Sequence, residues 1–265
     1  IFICKLFQKK IISRSNSSPT GWSKNFIKKS IYKLGLNLAD ILIVNSIEFK
    51  KEMKKKFSVN PIHIYNPLNT KEILSLSKQR VKKIFPKSVL KIINVGRLVD
   101  QKDQLTLLRA INELKDLFRF KLILIGRGSY EKKIKEFIKF NKLSKLVTVF
   151  FTPNAIPFMK QADLFILSSK YEGLPNVLLE SIVLKKMIIS STCPTGPKEI
   201  LLKGKGGLLF NVGNYKELSK KIIFYIQNKS KCKKMIKLSS KSIERFDYQK
   251  NLNKYLSLIN NISNS

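Results

Sequence analysis

This sequence is short of acid. Its 265 residues hold 17 Asp and Glu against 52 Lys and Arg, a formal net charge of +35. It has one tryptophan, one histidine (His63) and three cysteines. Cys4, Cys193 and Cys232 are odd in number and share no paired spacing. That argues against a metal site and points to a reducing compartment. No apolar run reaches the roughly 18 residues of a membrane-spanning helix, and no small-residue cleavage site marks a secretory leader. The expected setting is cytoplasmic. The chain opens in mid-pattern at Ile1 with "IFICKLFQKKII", so the protein's true start is expected upstream.

What is present begins with the charge itself. Hydrophobic residues make up 43% of the chain, a globular composition. A charge of +35 suits an anionic partner: nucleic acid, a membrane surface or a phosphorylated substrate. A general coding bias toward Lys, Ile and Asn would produce the same number. The lysines run along the whole chain, without an RNP-like aromatic box, zinc-finger spacing or an arginine-rich arm. The bias is therefore favoured over a dedicated nucleic-acid surface, and no nucleic-acid partner is expected. Peripheral contact with anionic lipids stays compatible with it.

From residue 91 onward, short apolar runs alternate with amphipathic stretches. "KIINVG" stops at Gly96; Leu107, Ile111, Leu114 and Phe118 then recur at helical spacing within 101–118. "FKLILIG", "LVTVFF", "DLFILSS" and "KMIISST" follow, with a charged helix over about 130–141. Continuous rather than alternating runs mean burial on both faces, the mark of a parallel sheet covered by helices. The fold class read from this is α/β and doubly wound. "ADILIVNS", "FKKEMKKKF" and "PIHIYNPL" read as strand, short basic helix and strand, the tail of a first α/β unit. The expected division is 1–68 for that remnant, 69–90 for a polar connector and 91–243 for the second unit. A closing helix over 244–265 would pack back toward the first unit.

Ligands of doubly wound sheets bind beyond the carboxyl ends of the strands, so the residues just after each run are the candidates. "GRLVDQK" supplies Gly96, Arg97 and Lys102, two cations beside a helix start where a diphosphate would fit, or two basic residues of a basic protein. "GRGSYE" opens a helix but lacks the third glycine of a dinucleotide fingerprint. "SSKYEGLPNVLLE" spaces Glu172 and Glu180 by seven residues around a Gly/Pro turn. Helix N–H groups after Gly173 and Leu174 suit an anion, and a carboxylate accepting two hydrogen bonds suits a vicinal diol. Both acids could equally be solvated. "TCPTGPKEI" is another Gly/Pro turn, carrying Glu199. His63 lies on an apolar strand and reads as structural rather than as a general base.

Taken together and in order, "VGRLVDQK", "IGRGSYEKKI", "SSKYEGLPNVLLES" and "PTGPKEIL…GKGGLLF" resemble the retaining, GT-B-fold enzymes of glycosyltransferase family 4, which carry an E-x7-E motif. The similarity covers about residues 30–260. It implies a Rossmann-like donor domain, plus the remnant of a second Rossmann-like domain on the acceptor side, N-terminally truncated. It also implies that Arg97 and Lys102 bind the donor's diphosphate and stabilise it as it leaves. By the same resemblance Glu172 contacts the donor sugar, Gly173 and Leu174 cradle sugar and phosphate, and Glu180 holds the ribose. Thr152, Pro153 and Asn154 would flank the base. Arg97, Lys102 and Glu172 are the catalytic candidates, and no metal or other cofactor is implied. The chain departs from the family pattern at Phe150, and at Lys185 and Met187 where the family often has Gly-x-Pro.

The expected activity is transfer of a hexose or N-acetylhexosamine, from a nucleotide-sugar that is UDP-linked, to a glycan or polyprenyl-linked acceptor in surface-polysaccharide or lipopolysaccharide synthesis. Two alternatives stand beside it: a catalytically incomplete fragment that binds nucleotide-sugar without turnover, and a basic nucleic-acid-binding protein.

Overall fold

A computed structural model describes residues 1–19 and 25–263. The strands are β1 (Ile12–Ser15), β2 (Ile41–Val44), β3 (Ile62–His63), β4 (Leu90–Val95), β5 (Phe120–Ile125), β6 (Val147–Phe150), β7 (Leu164–Leu167), β8 (Met187–Ser191) and β9 (Leu208–Phe210). The helices are α1 (Phe2–Leu6), α2 (Phe26–Asn37), α3 (Ile47–Phe57), α4 (Thr70–Leu76), α5 (Gln104–Leu114) and α6 (Glu131–Phe140). They continue as α7 (Ile156–Gln161), α8 (Asn176–Val183), α9 (Pro197–Ile200), α10 (Tyr215–Gln227), α11 (Lys229–Lys241) and α12 (Tyr248–Ser263). Among the described residues no helix is long and apolar enough to cross a membrane.

Two parallel sheets result. The smaller runs β1-β2-β3, and the larger runs β6-β5-β4-β7-β8-β9. Successive residues of the larger sheet enter opposite cores. Ile92, Leu122, Leu124, Leu164 and Ile166 join Leu107, Ile111, Leu218 and Ile222 of α5 and α10. Ile93, Ile123, Phe165 and Leu167 join Ile73, Met159, Leu178 and Leu179 of α4, α7 and α8. Apolar side chains on both faces are what the continuous runs require, since a strand covered on one side only would alternate. The structure is thus the expected α/β fold with Rossmann-like sheets.

Within 101–118 the helix is α5, preceded by a 3-10 turn at Asp100–Lys102. Asp103, at φ 45°, caps the helix by accepting from Thr106 N (3.3 Å). Leu107, Ile111 and Leu114 are buried as their spacing predicted, while Phe118 lies past the helix end and is only partly covered. Within the 69–90 connector, Asn69 caps α4 through Glu72 N (3.1 Å), Ile73 enters the core, and Leu90 already belongs to β4. One reading needs correction. "PIHIYNPL" gives a ladder of only two residues, because β3 meets β2 at Ile62 and His63 alone. The chain end returns to its beginning: Leu68 N donates to Phe246 O (2.9 Å), and Arg14 stacks 5.5 Å above the Tyr255 ring of α12.

The order of the larger sheet decides where a ligand can sit. Strands β4, β5 and β6 are laid down in one direction, and β7 then pairs with β4 on its other side. The crevice of a doubly wound sheet opens at such a reversal, here between the carboxyl ends of β4 and β7.

Candidate active site

Two turns face each other across that reversal. After β4 come Gly96, Arg97 and the Asp100–Lys102 turn; after β7 come Ser168 to Glu172. They are sewn together by Ser168 Oγ donating to Lys102 O (3.0 Å), Lys170 N to Gln101 O (2.8 Å) and Gln101 Nε2 to Tyr171 O (2.9 Å). At the centre, Lys102 Nζ donates to Glu172 Oε1 at 2.6 Å, and Ser169 Oγ donates to the same oxygen at 2.6 Å. The side chains of Lys102 and Glu172 are 15% and 7% exposed. A pair this sheltered is fixed by its neighbours, and neither charge can be removed without stranding the other.

The Glu172 turn also meets the smaller sheet's unit. Ser18 N donates to Glu172 O (3.0 Å), Ser17 and Gly173 form an antiparallel bridge, and Thr195 Oγ1 donates to Glu172 O (2.7 Å). A Cβ on Gly173 would lie 1.9 Å from Asn16 O, so only glycine allows this approach. Gly196, at φ +82°, is held likewise: its Cβ would lie 2.1 Å from Gly173 O. Pro175 precedes α8 without a side-chain cap, leaving first-turn N–H groups of that helix available to an anion.

Two clefts open around this centre. One, of about 530 Å³, is lined by Arg14, Asn45, Asn66, Lys102, Glu172 and Leu174, among others. The second, of about 590 Å³, is lined by Gln79, Val95, Thr152, Pro153, Asn154 and Glu180, among others. Val177 borders both. The structure therefore brings Lys102, Glu172 and Leu174 together in one cleft, and Glu180 with Thr152–Asn154 in its neighbour. Gly96 sits under Lys102, whose Cδ is 3.7 Å from where a Cβ would stand. Arg97 lines neither cleft; it is exposed, and its Nη2 donates to Gln101 Oε1 (3.2 Å).

Glu180 differs from Glu172. It is mostly buried, no described residue donates to its carboxylate, and burial pushes its pKa above the usual carboxylate value. Burial likewise pushes the Cys193 thiol up to about 12, with the Glu172 charge adding to it, so this cysteine is not a nucleophile. Burial lowers the pKa of His63; its Nε2 is buried without a partner and its ring packs edge-on to Tyr65 at 4.2 Å. That environment suits the structural role expected of it. Among the described residues no group of three or more His, Cys, Asp or Glu could hold a metal ion.

Glu199, singled out in sequence only as part of a turn, clamps the two units. Its Oε1 accepts from Ile47 N (3.1 Å) and Tyr65 OH (2.5 Å), and its Oε2 from Glu48 N (3.0 Å). A carboxylate thus closes the N-terminus of α3 from the other unit, where unpaired N–H groups and the helix dipole favour negative charge. Burial and the nearby Glu199 charge raise the pKa of Glu48 beside it. Arg14, Asn45 and Asn66 are cleft residues that the strand-end argument did not supply, because it attended only to the larger sheet.

The profile of the family described as glycosyl transferases group 1 matches residues 77–242. The chain belongs to that family. An uncharacterized glycosyltransferase of Methanocaldococcus jannaschii is 34% identical over 183 residues, covering 64% of this chain and 44% of the relative. Another glycosyltransferase of that organism is 30% identical over 86% of this chain and 61% of its own length. A Campylobacter jejuni relative is 26% identical over 77% of the chain and 56% of its own length. It is named N-acetylgalactosamine-N,N'-diacetylbacillosaminyl-diphospho-undecaprenol 4-alpha-N-acetylgalactosaminyltransferase. This group 1 glycosyl transferase chain spans about half the length of these relatives. Among solved structures, HepE from Anabaena in complex with UDP superposes with a TM-score of 0.80 at 18% identity, over 98% of this chain and 74% of HepE. TarM from S. aureus, a mutant in complex with fondaparinux, alpha-GlcNAc-glycerol and UDP, gives 0.80 at 19% over 97% and 53%. At such identities the likeness shows the GT-B fold alone.

Proposed function

We propose that this chain is the donor-binding portion of a retaining glycosyltransferase that uses a UDP-linked hexose or N-acetylhexosamine. The nucleoside would occupy the cleft of Glu180 and Thr152–Asn154, with the carboxylate accepting from both ribose hydroxyls. The diphosphate would cross near Val177 toward the N-terminus of α8, and the sugar would lie against Glu172 and Gly173. Lys102, held at Glu172, and Arg97, free to swing in from its exposed position, would take up the charge that develops as the diphosphate leaves. The acceptor would approach from the side of residues 1–68, as a glycan or polyprenyl-linked sugar at the inner membrane face. The net charge of +35 favours that address, and the acceptor named for the C. jejuni relative is of this kind.

The observation that carries the reading is Glu180. A mostly buried carboxylate that no described residue satisfies, facing a cleft beside a fixed Lys–Glu pair, is placed to be completed by a ligand. Calorimetric titration with UDP, UDP-N-acetylhexosamines and GDP tests it. One UDP per chain, weakened about tenfold in Glu180→Gln, is expected; no binding by UDP or GDP would end the proposal. An excess of duplex DNA competing equally with UDP would point instead to a general polyanion surface.

A further inference from the structure

The cleft of Lys102 and Glu172 has a second wall, and its charge is not balanced. On the donor side the pair is self-neutralised. Across from it stands Arg14, at the carboxyl half of β1, exposed and lining the cleft. No carboxylate among the described residues pairs with it. In a chain with 52 basic residues an unpaired cation is ordinary; a positioned one is not. Arg14 Nη2 donates to Asn66 Oδ1 at 2.7 Å. Asn66 is itself fixed, its Nδ2 donating to Asn176 Oδ1 (2.6 Å) and Leu174 O (3.4 Å). The guanidinium also lies 5.5 Å over the ring of Tyr255. Two asparagines, one of them in the E-x7-E stretch, and an aromatic face thus hold a planar, five-donor cation toward an open cleft. On the same wall Asn45 is 1% exposed; its Nδ2 reaches only Asn16 O, at 3.5 Å, and its Oδ1, which has no partner among the described residues, is an acceptor suited to a ligand hydroxyl rather than to the anion.

We infer that Arg14 is the acceptor-side anion holder of this cleft, taking a phosphate or carboxylate that the acceptor carries close to its accepting hydroxyl. The inference rests on the proposed function, which puts the donor sugar at Glu172 and leaves the opposite wall for the acceptor. Oxyanions fit because a guanidinium presents paired N–H donors at their spacing, and because no carboxylate among the described residues must be displaced from Arg14. A neutral glycan would leave that charge uncompensated. Lipid diphosphates and acidic sugars share the required chemistry, and separate probes distinguish them.

The test uses the whole chain and three probes: farnesyl diphosphate, methyl glucuronide and neutral methyl glucoside, each titrated with and without saturating UDP. The variants are Arg14→Gln, Arg14→Lys and, as a control for diffuse charge, Lys132→Gln on exposed α6. One anionic probe binding the unchanged chain, weakened roughly tenfold or more by Arg14→Gln, is expected. Lys132→Gln should leave that affinity within twofold, Arg14→Lys should fall between, and UDP affinity should not change. Farnesyl diphosphate responding alone identifies a lipid-linked acceptor; the glucuronide responding alone identifies an acidic sugar. Equal loss in Arg14→Gln and Lys132→Gln, or no anionic probe binding, overturns the inference. So does a loss of UDP affinity in Arg14→Gln, which would assign Arg14 to the donor diphosphate. Failure of UDP to bind, with the Arg14-dependent anion site intact, would remove the donor reading and leave this one standing.

Discussion

Glu172 and Glu180 lie on either side of Val177, one in each cleft, and the two clefts treat their carboxylates differently. At Glu172 a lysine and a serine hydroxyl already satisfy one carboxylate oxygen, and the turn is tied to both units of the chain. At Glu180 no described residue answers the charge. The first site is finished before any ligand arrives. The second is destabilised until one does. Rigid positioning where a reacting sugar would lie, and an open valence where a nucleoside would lie, are complementary uses of a single residue type. The contrast comes from what each acid faces: a lysine across the β4–β7 reversal in one case, an open cleft with no donor to the carboxylate among the described residues in the other.

Four changes would sharpen or break that comparison. The largest effect is expected from Glu172→Ala, which strands Lys102 in a sheltered site and should cost about 3 kcal/mol by urea unfolding; a loss under 1 kcal/mol would mean the pair is not fixed. Next comes Glu199→Ala, which removes three cross-unit hydrogen bonds and leaves two first-turn N–H groups of α3 unpaired while the Ser46 cap stays, at roughly 2 kcal/mol. Hydrogen exchange should then quicken at Ile47 and Glu48 rather than in β5.

Glu180→Gln should go the other way for the empty chain. Because burial raises the Glu180 pKa in the folded state, its ionisation opposes folding above that pKa and is without effect once pH falls below the ordinary value of 4.5. The variant should therefore gain thermal stability at pH 7 and converge with the parent near pH 4. The same substitution should weaken UDP by about tenfold. A neutral-pH loss of stability would show that the carboxylate has a partner after all.

The smallest effect concerns Lys185. It sits at φ 55° just past α8, and Lys185 N donates to Ile182 O and Lys186 N to Ser181 O, both at 2.9 Å. This is the Schellman ending that favours glycine. Lys185→Gly should gain a few tenths to about 1 kcal/mol, without moving UDP affinity.

Much of the larger sheet was legible because β4, β5, β7 and β8 are buried on both faces and so are written as unbroken apolar runs. β1 was not, since Ile-Ser-Arg-Ser carries no such pattern and owes its place to pairing with β2. β9 is three residues after a glycine pair, and α11 has too few apolar residues to announce a face. At the candidate site, the rule that ligands meet strand ends singled out Lys102, Glu172 and Glu180, which the structure places around two adjoining clefts. It could not find that Lys102 and Glu172 pair with one another, which depends on β7 turning back beside β4. Nor could it find the clamp of Glu199 or the wall of Arg14, whose partners lie far away in sequence and near only after the two sheets meet.

The contact between Gly173 and Asn16 has a mechanical corollary. The loop that would touch the transferred sugar is also a rung joining the two halves of the molecule, through the Ser17 bridge and the Ser18 N–H. Any hinge rotation that widened the entrance would have to pull on that rung first. Substrate entry and the posture of Glu172 would then be one degree of freedom, and a jaw that opened too far would disarm itself.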